Sequence, residues 1–246
     1  MSLLQNLTTI VMAVALLTPA AAAWRATPPL ESEQARRLPK DTGAPLRYVA
    51  LGDSTVTGVG ATSPRRHYVG RLHDRLVVVY PRATLANLGV PGATAADVIR
   101  DQLPRAVALR PQLVTLSVGP NDITQGRRPA DFEQDVGEIF RTLHRDSDAV
   151  VVVNLLPDLA LSPRFTPAER LVVGQLTATF NVMLAEQARR YGVEIVDLYD
   201  RSRRETPNRP DYLSADDYHP SDEGYARWAE VMWRGVEFRR PSSSTP

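Results

Sequence analysis

The 246-residue sequence predicts one three-layer α/β/α domain over residues 46–240, a five-stranded parallel sheet between two layers of helices. Three observations predict it. Short, wholly apolar, β-prone runs alternate with helical patterns; four of the five runs end at a glycine or proline; and no second apolar core follows. Runs without polar alternation suit strands buried on both faces of a parallel sheet.

In chain order, the strands are Arg47 to Leu51, Thr84 to Leu88, Leu113 to Val118, Ala149 to Leu156 with its four consecutive valines, and Val193 to Leu198. Between them, Tyr68 to Val79 places Leu72, Leu76 and Val79 at helical spacing. Ala95 to Leu109 does the same with Val98, Ile99, Leu103 and Val107, and Phe132 to Leu143 with Val136, Ile139 and Phe140. Thr166-Pro167-Ala168-Glu169 is a capping box with proline at the first helical position, so a helix starts there, runs to about Arg190 and is ended by Gly192. A last helix spans about Asp222 to Phe238, with Tyr225, Trp228, Ala229 and Met232 inward. Right-handed crossovers put every strand C-terminus on one edge, where such sheets bind ligands.

The ends of the chain read differently. Leu7 to Ala23 carries no charge and resembles the apolar core of a secretory signal with a small-residue cleavage site, so residues 1–23 are expected to direct export, secreted or periplasmic. An uncleaved anchor is the alternative, and only then is membrane contact expected. Residues 24–45 hold four prolines and read as a linker or loosely docked arm; residues 241–246 read as a frayed tail.

Composition excludes several classes. With 29 basic and 28 acidic residues, and the basic ones scattered, nothing asks for nucleic acid. The absence of cysteine excludes disulfides, thiolate metal sites and a cysteine nucleophile.

Four motifs fall on the ligand-binding edge. Gly52-Asp53-Ser54 follows strand one, Asn87-Leu88-Gly89-Val90-Pro91-Gly92 follows strand two, Gly119-Pro120-Asn121-Asp122 follows strand three, and Asp216-Asp217-Tyr218-His219-Pro220 precedes the last helix. A serine hydroxyl needs a base to become a nucleophile. Of the four histidines, only His219 has a carboxylate three residues upstream in a loop, and Asp216 can fix its tautomer. The backbone N–H groups of Ser54 and Gly92 and the Asn121 amide can receive negative charge on a reacting carbonyl oxygen. Asp53 and Asp122 are expected to tie down loop backbone, and Asp217 competes with Asp216 for His219.

The set resembles the SGNH hydrolase superfamily, the GDSL-type esterases and lipases, over about Arg47 to Trp233. Its letters fall on Ser54, Gly92, Asn121 and His219, with Asp216 completing a D-x-x-H pair. The resemblance implies a flavodoxin-like sheet in order 2-1-3-4-5 and ester hydrolysis through an acyl-serine, without metal or cofactor. Thr55 stands where the family motif has leucine. A monomer acting on small or soluble esters or lysolipids is expected. The alternatives are an acyltransferase or carbohydrate deacetylase using the same residues, and a non-catalytic or flavin-phosphate-binding domain using the hydroxyl-rich stretch Gly52 to Gly58. Arg127 and Arg128 after Asn121, and Arg201, Arg203, Arg204 and Arg209 in the loop Tyr199 to Asp216 that runs toward the site, are expected on solvated surface; an anionic substrate is the other reading.

Overall fold

A computed structural model describes residues 36–240; the expected leader, most of the linker and the C-terminal tail lie outside the described residues. The sheet has five parallel strands, β1 (Leu46–Gly52), β2 (Ala83–Asn87), β3 (Leu113–Ser117), β4 (Val150–Asn154) and β5 (Glu194–Val196), in the order β2-β1-β3-β4-β5. Alternation along each strand feeds two cores. Val49, Leu51, Val114, Leu116, Val151 and Val153 face one side, while Tyr48, Ala50, Leu113, Val150 and Val152 face the other. Both faces are apolar because both are covered.

Two helices cover one face, α2 (Tyr68–Val79) and α8 (Asp222–Phe238). The other carries α3 (residues 95–108), α5 (Pro129–Asp146) and α6 (Pro167–Arg190). The short helices α1 (Ser54–Thr57), α4 (Pro120–Thr124) and α7 (Leu198–Glu205) stand at strand ends. The Thr166–Glu169 capping box forms as the sequence predicts, and α6 stops before Gly192.

Helix α3 is broken into Ala95–Asp97, a π turn at Val98–Gln102, and Leu103–Ala108. Pro104 has no N–H to give the carbonyl four residues back, and the wide turn immediately before it absorbs the mismatch.

One expectation needs correction, and two open alternatives are narrowed. The stretch Tyr199 to Asp216, read as a loop, begins as α7: the Asp197 side chain accepts from the Asp200 N–H and Leu198 is buried, so β5 ends at Val196. Of the two readings of residues 24–45, the described end takes the docked one. Leu38 is 2% exposed, its N–H donates to Arg239 O, and the Arg36 guanidinium donates to the Leu143 and His144 carbonyls at the end of α5 and to the Ala149 carbonyl just before β4. Full burial of one leucine is worth about 1.5–3 kcal/mol, enough to hold such an arm. The hydroxyl-rich stretch is helix α1, and its donors are already engaged. Asp53 caps it, accepting from Thr55 N and Oγ1, while the Thr57 hydroxyl donates to Ser54 O. A buried carboxylate at that position repels a phosphate, so the flavin-phosphate reading has no cradle there.

No helix among the described residues is long and apolar enough to cross a membrane.

Candidate active site

Strands β1 and β3 are neighbours, with β2 lying outward on one side and β4 on the other, so the sheet order reverses between them. The loops after β1 and β3 therefore diverge to form a crevice at the C-terminal edge. Ser54 leaves β1 and Asn121 leaves β3 on the two sides of this crevice.

Backbone at Gly52 makes the close approach possible. Its φ is +139°, and a Cβ there would lie 1.8 Å from Ser117 O. Gln102, carried by the π turn of α3, makes a double bond to the same residue: Gly52 N–H donates to Oε1 at 2.8 Å, and Nε2 donates to Gly52 O at 2.8 Å. The pairing of β2 with β1 ends at Ala50 with Asn87, two residues before Gly52, and the Gly52 N–H takes Gln102 in place of a strand partner. No sequence pattern pointed to Gln102; only the π turn aims it there.

Three further ties bind the loops together. Val90 N–H donates to Gly52 O at 3.0 Å, Gln125 Nε2 donates to Gly92 O at 3.0 Å, and Asn121 Nδ2 donates to Ala93 O at 3.0 Å. Asn121 thus commits one of its two amide hydrogens and keeps the other. Gly92 sits at φ +82°, a conformation that L side chains rarely adopt.

His219 joins the group from the far end of the chain. Its Nε2 lies 2.9 Å from Ser54 Oγ and its Nδ1 lies 2.5 Å from Asp216 Oδ2. A proton on Nδ1 toward Asp216 leaves Nε2 as the acceptor for the serine hydroxyl. The other oxygen, Asp216 Oδ1, accepts from Ser214 Oγ at 2.8 Å, Tyr218 N at 3.0 Å and His219 N at 2.8 Å. Burial raises the Asp216 carboxyl, but the hydrogen bonds from His219, Tyr218 and Ser214 outweigh it and hold the group well below the usual carboxylate range. Asp217 faces elsewhere: it turns the chain at φ +58°, and its carbonyl accepts from Ser162 Oγ.

Asp53 and Asp122 are scaffolding. Asp53 is 1% exposed and caps α1, and burial pushes its carboxyl up to about 6. Asp122 accepts from Ala95 N at the start of α3 and pairs with Arg127 at 3.2 Å; burial pushes it up to about 7. Thr55, the departure from the family motif, places its hydroxyl between Asp53 and Ser117, 2.8 Å and 3.2 Å away.

Unfolded aspartate titrates near about 3.9, so between that pH and about 7 the folded state holds the Asp122 proton more tightly than the unfolded chain does. Folding stability from this group is then greatest at low pH and declines as pH rises toward 7. The thermal midpoint of wild type relative to Asp122→Asn is expected to fall from pH 5 to pH 7, measured by circular dichroism. A constant difference would show that Asp122 is charged in the fold throughout.

The arginines near the site are each held by a carboxylate: Arg127 by Asp122 and Asp135, Arg128 by Asp131, Arg201 by Glu205, Arg203 by Asp158, Arg204 by Asp200 and Arg209 by Asp211. Paired this way, they offer little unspent charge to an anionic substrate.

A cavity of about 110 Å³ opens beside Ser54 and His219. Its wall is mainly apolar, with Pro157, Leu159, Leu161, Leu198, Leu213 and Trp228 contributing. Among the described residues, no group of three or more acidic, histidine or cysteine side chains could hold a metal ion.

The sequence matches the model of the GDSL-like Lipase/Acylhydrolase family over residues 50–227. The chain belongs to that family. This GDSL-like hydrolase is accordingly an ester-hydrolysing enzyme with the family's α/β/α fold. No curated protein matches its sequence. Solved structures do match its fold. LAE5, an alpha/beta hydrolase enzyme from the metagenome of Lake Arreo, Spain, is 19% identical with a TM-score of 0.65, covering 81% of this chain and 98% of that one. TesA is 21% identical with a TM-score of 0.62, covering 78% and 98%. Axe2, an acetylxylan esterase from Geobacillus stearothermophilus, is 18% identical with a TM-score of 0.65, covering 82% and 99%. At these identities the likeness is one of fold.

Proposed function

We propose that this GDSL-like hydrolase is a serine esterase that cleaves carboxylic esters through an acyl-Ser54 intermediate. The observation that carries the reading is the continuous relay from Ser54 Oγ through His219 to Asp216, with bonds of 2.9 Å and 2.5 Å. As Ser54 Oγ attacks the ester carbon, His219 Nε2 takes the hydroxyl proton and Asp216 stabilises the imidazolium that results. The carbonyl oxygen becomes an oxyanion facing the N–H groups of Ser54 and Gly92 and the uncommitted amide hydrogen of Asn121. Collapse expels the alcohol, which takes the proton from His219. Water then repeats the sequence at the acyl carbon, releasing the acid and restoring the serine. Every proton is returned, so no co-reactant other than water is needed.

The apolar cavity supports an acyl group of modest length beside Ser54 and His219. Small or soluble esters and lysolipids fit that description. We place the site of action outside the cytoplasm, on the strength of the charge-free run Leu7 to Ala23, and take the working form to be a monomer.

A fluorophosphonate tests the nucleophile and the reaction class together. Labelling of the peptide that carries Ser54 is expected; a label on another residue, or none on folded protein, would overturn the assignment. Asn121→Ala is expected to lower kcat by about 10²–10³ with a smaller change in KM, as for loss of one oxyanion donor. Steady-state kinetics on a p-nitrophenyl ester checks it, and an unchanged kcat would leave Asn121 with only its loop-tying role.

A further inference from the structure

The cavity beside Ser54 has a charged end. Glu205, at the C-terminus of α7, sits between two arginines. Arg227 of α8 donates from Nε to Oε2 at 2.7 Å and from Nη2 to Oε1 at 2.6 Å, and Arg201 Nη1 donates to Oε1 at 2.9 Å. The three side chains are 22–30% exposed. The bonds from Arg227, opposed by burial and joined by those from Arg201, keep the Glu205 carboxyl below its ordinary range, so the cluster is ionised.

All three residues line the cavity that holds Ser54 and His219. Glu205 and Arg227, with Tyr212, also line a separate groove on the outer surface, which includes Arg204 and Glu223. These shared side chains are therefore the partition between the reactive cavity and solvent on the far side. The wall leading to it is apolar, whereas the partition is charged and paired: Glu205 with Arg227 and, on the cavity side, with Arg201, and Arg227 also with Glu230. An alkyl chain can slide along leucine and proline, but it gains nothing by displacing charges that would then lose their partners.

We propose that the Arg201–Glu205–Arg227 cluster is the end wall of the acyl site and sets the longest acyl chain the enzyme accepts, and that opening it turns a blind cavity into a through channel. This rests on the reading that the acyl group occupies the cavity. The test uses p-nitrophenyl esters from acetate to dodecanoate with the full enzyme. For wild type, kcat/KM rises with chain length and then drops where the chain meets the wall. In Glu205→Ala the drop is expected to move by two or more carbons, with the ratio of long-chain to acetate kcat/KM raised about ten-fold or more, the scale of one or two methylenes in an apolar pocket. Arg227→Ala removes the partition from the α8 side and gives the same shift, should Glu205→Ala fail to fold. Glu205→Gln keeps the wall's bulk and is expected to retain the wild-type cut-off.

Leu161→Trp separates the two levels of the claim. It adds bulk to the apolar lining of the cavity and is expected to depress hexanoate relative to acetate about ten-fold. If Leu161→Trp alters the chain-length profile and neither wall-opening variant does, the end wall is refuted while the acyl site stands. If none of the three alters the profile, the acyl group lies elsewhere and both fail.

Discussion

Ser54→Ala is expected to abolish ester turnover, lowering kcat by about 10⁴ or more, while the protein remains folded. The size of the effect follows from what the hydroxyl alone supplies. Nothing else in the crevice is a nucleophile held 2.9 Å from an unprotonated imidazole nitrogen, so the variant retains only substrate binding and the oxyanion donors. Stability should change little. The Ser54 side chain is half-buried, and its recorded side-chain bond is to His219, whereas the structural bonds of α1 come from Asp53 and Thr57. Initial rates on p-nitrophenyl butanoate, paired with circular dichroism, check both halves. Fluorophosphonate labelling is expected to be lost in the variant; a folded variant that keeps more than a few per cent of wild-type kcat would remove Ser54 from the mechanism.

Asp216→Asn is expected to be the next most damaging change, on the order of 10²–10⁴ in kcat. Both carboxylate oxygens act as acceptors. One faces the imidazole, and the other gathers Ser214 Oγ and the N–H groups of Tyr218 and His219. Asparagine has a single acceptor oxygen and cannot serve both sets. If its oxygen stays with the backbone, its amide hydrogens face His219 Nδ1, forcing the proton onto Nε2 and leaving the serine hydroxyl without a base. If its oxygen turns to the imidazole, three donors of the turn lose their acceptor and the loop loosens. Because Asp216 is 40% exposed, water can relieve part of the second cost, which is why the range is broad. A kcat within two-fold of wild type would show that the histidine is oriented by the turn itself and not by the carboxylate.

How far the site could be read in advance differs from residue to residue. Ser54, Gly92, Asn121 and His219 were legible because each stands at a strand end or helix start marked by glycine, proline or aspartate, and because His219 has its own carboxylate one turn upstream. Gln102 was not legible. It lies in an ordinary helical pattern, and its bond to Gly52 depends on the π turn that Pro104 provokes. Helix α7 was read as loop because its first residue, Leu198, is its only buried one, and a polar arginine-rich stretch has no period to detect. Whether the end of residues 24–45 runs free or docks stays open in the sequence for a related reason: Leu38 is a single apolar residue among prolines and charges, and only the groove beside Arg239 gives it somewhere to go.

By itself the sequence determined the layered sheet, the places where its strands stop, and the kinds of functional group standing at those stops, because caps, periodicity and chain-breaking residues act over a few neighbours. Which of those groups meet was decided only in the tertiary structure. A separation of 165 residues between Ser54 and His219 becomes 2.9 Å through strand order, crossover hand and the ties among three loops. The charged partition at the back of the cavity belongs to that second class as well, since α7 and α8 contribute opposite sides of it and neither carries its meaning alone.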